Sequence, residues 1–126
     1  MATCNQITRL GRKKRRKLNR TPALEKCPQK KAFCVKLVFR TPRKPNSALR
    51  KITKVRVTNG KKVYAYIPGE GHFLKRYSTV LMRGGGVKDL VGVKYHLIRG
   101  KFDFVGLIKR RTARSKYGAK KLSRYI

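Results

Sequence analysis

Asn59-Gly60 stands between two runs of alternating apolar and polar residues, at 49–58 and 62–67, and this arrangement constrains the fold more than anything else in the chain. Asn-Gly between alternating runs is the strongest short hairpin signal, because both residues tolerate the positive φ of a type I′ turn. In the first run Thr53, Val55 and Val57 oppose Lys54 and Arg56, while Ile52 falls out of phase and marks a candidate bulge. Upstream, Phe33, Val35, Leu37 and Phe39 share one face and Cys34, Lys36, Val38 and Arg40 the other, the pattern of a half-buried strand. Further strands are predicted at 79–83 and 94–99, the latter alternating Tyr95 and Leu97 against His96 and Ile98. Five short strands with no helix crossing between them predict an all-β fold, a small closed barrel. Helical spacing shows only at 3–10, with Thr3 or Asn5 as the cap and Ile7 and Leu10 on one face. Residues 20–32 have prolines and lysines but no periodicity, and read as an extended segment lying along a binding partner. The expected organisation is a basic N-terminal extension (1–31), a barrel (32–108) and a basic C-terminal tail (109–126).

The charge of the chain defines its partner. Lys and Arg number 36 against four acids, so 126 residues carry a formal charge of +32 that would repel itself strongly if left uncompensated. A polyanion is required. No run approaches the roughly 18 apolar residues of a spanning helix, and no interfacial amphipathic helix is visible, so the expected polyanion is nucleic acid and not a membrane. No homo-oligomer is expected. Two basic arms flank the barrel: Arg12, Lys13, Lys14, Arg15, Arg16 and Lys17 at one end, and Lys109, Arg110, Arg111, Arg114 and Lys116 through Arg124 at the other. Such arms stay disordered until a polyanion orders them. The first run, taken alone, also fits an incidental solvated or nuclear-localisation-like stretch.

Two loops carry unusual chemistry, and they occupy the positions that oligonucleotide-binding barrels use, between the first and second and the fourth and fifth strands. The first, 41–48, is stiffened by Pro42 and Pro45 and offers Arg43 and Lys44 for phosphates, with Asn46 and Ser47 to read a sugar or base edge. A Pro-rich turn with a solvated basic pair is the plain alternative. The second, 84–92, opens on three glycines that let backbone approach a phosphate without a Cβ in the way. It lacks the Gly-Lys-Ser/Thr of a nucleotide-binding P-loop.

Enzymatic chemistry is not expected. Glu25, Glu70, Asp89 and Asp103 are the only carboxylates, each surrounded by cations in composition if not in sequence. His72 reads as a turn residue bonding backbone or RNA, and His96 as an outward strand residue stacking on RNA or packing on an arm. Cys4, Cys27 and Cys34 lack Cys-x-x-Cys spacing, so no metal and no cofactor are expected, and free thiols suit a reducing compartment.

Five motifs in order (Cys27-Pro-Gln-Lys30; 41–51, Thr-Pro-Arg-Lys-Pro-Asn-Ser-Ala-Leu-Arg-Lys; 67–72, Ile-Pro-Gly-Glu-Gly-His; Arg83-Gly-Gly85 with Val87-Lys-Asp-Leu90; and Arg114-Ser-Lys-Tyr-Gly118) resemble the universal small-subunit ribosomal protein twelve family, of the bacterial and organellar type. The resemblance implies an oligonucleotide-binding barrel seated on small-subunit rRNA at the decoding centre. A-site tRNA and mRNA would lie nearby, with other ribosomal proteins as neighbours. It implies that Lys44, Pro45, Asn46 and Ser47 lie beside the codon–anticodon minor groove and that Lys88, Asp89 and Leu90 form a second decoding loop. In bacteria the matching aspartate is commonly methylthiolated, which makes Asp89 a candidate modification site. Magnesium held by the RNA would bridge some contacts. Gly86 stands where the family commonly has Arg, and Val91 where Pro is usual.

Two other readings use the same residues. A free RNA chaperone or single-strand binder would need aromatic platforms, for which Tyr64 and Tyr66 are the adjacent candidates. A chromatin-like compacting protein would need neither loop. The absence of a recognisable presequence fits a bacterial cytoplasm, a plastid or synthesis inside an organelle. The Lys-, Tyr- and Ile-rich composition, both loop departures and the ending Leu122-Ser-Arg-Tyr-Ile126 favour a divergent mitochondrial, organelle-encoded member.

Overall fold

The structure, a computed structural model, describes residues 1–121; the final residues 122–126, including Arg124 of the expected tail, lie outside the described residues. The five expected strands form: β1 (Gln29–Arg40), β2 (Arg50–Val57), β3 (Lys62–Tyr66), β4 (Thr79–Gly84) and β5 (Tyr95–Ile98). They close into a barrel in the order β1-β2-β3-β5-β4, with β3 and β5 parallel and every other pair antiparallel. One helix, α1 (Cys4–Leu10), precedes them and is capped by Thr3 in a reciprocal box with Gln6.

The hairpin at Asn59-Gly60 forms by a different turn from the one its sequence favours. Only Gly60 takes a positive φ, +83°, and its N–H donates to the Val57 carbonyl (2.9 Å) while the Val57 N–H donates to Lys61 (2.9 Å). This is the three-residue loop with a left-handed glycine. It frees the Asn59 side chain to donate to the Ala23 carbonyl (2.9 Å), tying the hairpin to the N-terminal segment.

The expected faces of β1 are corrected. Its inward residues are Ala32 and Cys34, both fully buried, whereas Phe33 and Phe39 are exposed. The register against β2 slips between Cys34 and Lys36, so Val35 is the extra residue and the alternation changes phase there, turning Leu37 onto the core. The bulge therefore lies on β1, not at Ile52. Ile52 is buried on the outer face while Thr53, Val55 and Val57 fill the interior. The buried Thr53 hydroxyl donates to the Lys36 carbonyl (3.2 Å) beside the bulge.

Of the segment expected to be extended, 29–32 is strand, the start of β1, and the part before it is corrected. Pro22–Leu24 forms a 3-10 turn, and Ala23 and Leu24 are buried in the main core. The Ala23 N–H donates to the Tyr95 hydroxyl (3.0 Å), and Lys61 reaches the Pro22 carbonyl (3.3 Å). Apolar Ala and Leu within a basic stretch are what bring it onto the barrel, each buried side chain contributing roughly 1–3 kcal/mol.

Candidate nucleic-acid interface

The loop after β1 and the loop after β4 meet at Asp89. Its backbone carbonyl accepts from the Arg43 N–H (2.9 Å), and its carboxylate Oδ2 accepts from Asn46 Nδ2 (3.2 Å) and Arg50 Nη2 (3.1 Å). Within the first loop Asn46 N–H closes a turn onto the Arg43 carbonyl (3.0 Å), and the Lys44–Pro45 peptide bond is cis. Beyond Asp89, Arg40 Nη1 donates to the Val91 carbonyl (2.9 Å) and lays its guanidinium over the Tyr64 ring, 4.7 Å from the centroid. Leu90 is buried against Ile52 and Val93, with Val38, Tyr64, Tyr66 and Val87 around them. Its side chain is thus the anchor of the second loop and is turned away from any external ligand.

These contacts order the site in depth. The Leu90 cluster holds the second loop to the barrel wall, Asp89 hangs the first loop on the second, and Arg43, Lys44, Pro45, Ser47 and Lys88 remain exposed at the edge. With side-chain exposures of 15% for Asp89 and 35% for Arg50, their ion pair is partly shielded and contributes on the order of 1 kcal/mol after solvent screening. Arg40 and Arg50 are members that sequence reasoning missed as site residues. Asp89 lies 39 residues from Arg50 in the chain, and no local pattern links them.

The glycine run is needed at one point above all. Gly85 has φ +136°, and a Cβ there would come within 2.9 Å of Arg83 Nη1 and 3.2 Å of His96 Nδ1. His96 Nδ1 donates to the Gly85 carbonyl (2.7 Å), and its ring meets Tyr66 edge-on at 5.3 Å. It faces outward on β5, as expected, and its protein contacts are to Gly85 and Tyr66 and not to an arm. Burial pulls its pKa down, against a weaker upward pull from the Gly85 bond. Gly86, by contrast, has an ordinary 3.7 Å clearance to the Val93 carbonyl, and a side chain fits.

Of the two arms, only the first is free of the body. Arg12, Lys13, Lys14, Arg15, Arg16 and Lys17 are all exposed, with no hydrogen bond or ion pair among the described residues. The expectation of a second disordered arm is corrected as far as Lys121. The Leu107 N–H donates to the Tyr117 carbonyl (2.9 Å), and Arg110 stacks on the Tyr117 ring at 3.8 Å while donating to Thr112 (3.0 Å). Lys109, Arg111 and Lys116 stay exposed on this folded segment, and Arg114 is half-buried.

A family model described as Ribosomal protein S12/S23 matches residues 17–124. The chain belongs to that family. It is accordingly a structural constituent of the small ribosomal subunit, acting in translation in association with small-subunit rRNA and other ribosomal proteins. The match takes in both loops and the C-terminal segment and leaves α1 and Arg12 to Arg16 outside it.

Within this family member the motif at 67–72 is organised by Arg99, a third residue that sequence reasoning overlooked. Its buried guanidinium donates to the carbonyls of Pro68 (2.6 Å), Gly71 and Val105 (3.1 Å) and lies 4.3 Å from the Phe104 centroid. The only hint was an arginine at the end of the expected strand 94–99, in phase with the inward Tyr95 and Leu97. His72 beside it has an enclosed Nδ1 with no partner among the described residues, and burial, then Lys51 and Arg99, push its pKa down. Glu25 binds Lys30 (2.7 Å) and Lys61 (3.2 Å), which hold its pKa down at about 2. Cys34 is buried and its thiol pKa is raised by that burial; Cys4 and Cys27 are exposed. No group of three potential ligands gathers for a metal among the described residues.

Proposed function

We propose that the paired loops sit at the decoding centre, beside the codon–anticodon minor groove of the A site, and help set the accuracy of codon recognition. The observation that supports this reading most directly is the clamp at Asp89. One carboxylate and its own carbonyl hold both loops, so Arg43, Lys44, Ser47 and Lys88 are presented together from a preorganised edge. RNA minor grooves display 2′-hydroxyls and base edges, which the Ser47 hydroxyl can meet directly, through water or through RNA-bound magnesium. With Nδ2 committed to Asp89, Asn46 keeps its carbonyl oxygen as an acceptor for a ribose hydroxyl. Lys44 and Lys88 neutralise crowded phosphates, and the basic arms Arg12 to Lys17 and Lys109 to Lys116 anchor the protein on rRNA. No bond is made or broken by the protein; it favours the RNA conformation that closes on a correct pair. A difference of about 1–3 kcal/mol between open and closed states changes discrimination tenfold or more.

A photo-crosslinking residue at Ser47 or Lys88 in reconstituted subunits is expected to capture decoding-site rRNA and A-site mRNA or tRNA. Crosslinks confined to other regions would contradict the reading. We assign the parent ribosome to the mitochondrion, on the composition and on Gly86 and Val91, and mass spectrometry of purified mitochondrial ribosomes tests it. Asp89 is the proposed modification site, to be read as a mass increase on its peptide.

A further inference from the structure

Away from the two loops, three exposed aromatic residues stand next to linked backbone positions at one edge of the barrel. Phe33, Tyr77 and Phe102 are 40%, 70% and 46% exposed. Hydrogen bonds bring them together from three parts of the chain. The Tyr77 N–H donates to the Cys34 carbonyl (2.7 Å), next to Phe33. Phe33 pairs with Thr79 across β1 and β4, and Thr79 exchanges bonds with Asp103, donating to its carboxylate (2.7 Å) and accepting from its N–H (3.1 Å), which fixes Phe102 beside them. Each ring has a cation close to it. Lys31 Nζ lies 5.9 Å from the Phe33 centroid and 5.3 Å from that of Phe102, Lys101 lies 5.5 Å from Phe102, and Arg76 lies 5.0 Å from Tyr77.

The backbone adds a separate observation. Tyr77 and Phe102 have φ of +67° and +52°, the left-handed region that bulky residues rarely occupy and that glycine or asparagine would take more cheaply. All three rings stay outside both core clusters, and two of them sit on a strained backbone. Tyr64 and Tyr66, the aromatic pair prominent in the sequence, are half-buried under Arg40 and against His96 and cannot serve as a platform.

We propose that Phe33, Tyr77 and Phe102 form a stacking platform for unpaired RNA bases, with Lys31, Arg76 and Lys101 meeting the phosphates between them. Aromatic faces interleaved with cations fit a splayed single strand and fit neither a duplex nor an acidic protein surface, which would leave the rings without partners. Phe33 lies seven residues along β1 from Arg40, about 20 Å of extended strand, so the platform is separate from the loop pair. The inference rests on the RNA-binding role of the family and adds a second site to it.

The test uses the full chain with a fluorescently labelled single-stranded oligouridine and, in parallel, a fully paired RNA duplex. Tyr77→Asn and Phe102→Asn remove the rings while tolerating the positive φ, and Tyr77→Phe keeps the ring as the conservative control. Combining the two Asn changes is expected to weaken single-strand binding roughly tenfold or more, leaving duplex binding within about twofold and the salt slope unchanged, because no cation is lost. Tyr77→Phe is expected to bind as the parent does. If the double variant binds the single strand as tightly as the parent, the platform is overturned while the RNA-binding role stands. If both RNAs lose affinity equally, the rings act through the fold and the platform is again overturned. A parent chain that binds neither RNA would instead remove the RNA-binding premise itself.

Discussion

Asp89 carries more of the site than its position in a short loop implies. Truncation to Ala would leave Asn46 Nδ2 and Arg50 Nη2 without their acceptor and is expected to cost about 1–3 kcal/mol in chemical denaturation, with Asp89→Asn costing less because an acceptor oxygen remains. Val91 predicts the opposite behaviour in stability. It is exposed, its φ is not positive, and its N–H donates no hydrogen bond among the described residues, so Val91→Pro removes no contact of the fold. Thermal unfolding is expected to be unchanged or raised by up to about 1 kcal/mol through the stiffer unfolded chain, while the ratio of cognate to near-cognate incorporation shifts. An unaltered ratio would make Val91 a neutral replacement. The two histidines give a pH dependence. Burial depresses both folded-state pKa values below the ordinary 6.5, so the unfolded chain binds protons more readily on acidification. Stability is therefore present above about pH 6.5 and declines as pH falls below it. His96→Gln should flatten that decline in urea titrations at pH 7.5 and 5.

At the scale of elements, the glycines of the C-terminal segment separate space from flexibility. A Cβ on Gly106 would stand 2.2 Å from the Gly118 carbonyl oxygen, although Gly106 has no positive φ, whereas one on Gly86 clears the Val93 carbonyl by 3.7 Å. Gly106→Ala is thus expected to lift the segment around Tyr117 off the barrel, cost more than about 2 kcal/mol and speed tryptic cleavage after Arg110 and Arg111 by loosening the backbone, while Gly86→Ala leaves proteolysis unchanged. The strands were legible because each is a short alternating run bounded by turn residues. Which face of β1 points inward was not, because a bulge at Val35 changes the phase without any special residue to announce it. The loop chemistry was legible in its residue types, but its geometry depends on the long-range bonds of Asp89 to Arg43, Asn46 and Arg50, and local pattern carries no information about these. The folded tail was missed for a similar reason: its basic residues read as an arm, yet Tyr117 and Gly118 fit the glycines at 100 and 106.

Across the whole molecule, charge and fold divide the work. Three ion pairs are formed among the described residues, two of them to Glu25, and 36 cations therefore leave a large surplus for rRNA. Replacing Arg12, Lys13, Lys14, Arg15, Arg16 and Lys17 with Gln should leave unfolding unchanged, since none touches the barrel. It should also weaken rRNA binding and make the slope of log K against log salt shallower by up to roughly four or five. An unchanged slope would mean that this run is merely solvated. The central claim is that the clamped loop pair tunes decoding, and its most direct measurement is the near-cognate error ratio of small subunits reconstituted with Lys44→Ala or Ser47→Ala. Both residues are exposed and outside the Asp89 clamp, so the barrel should unfold as the parent does while the error ratio changes severalfold with cognate elongation little affected. A loss of stability with an unaltered error ratio would contradict the account and reduce the loop to a structural turn.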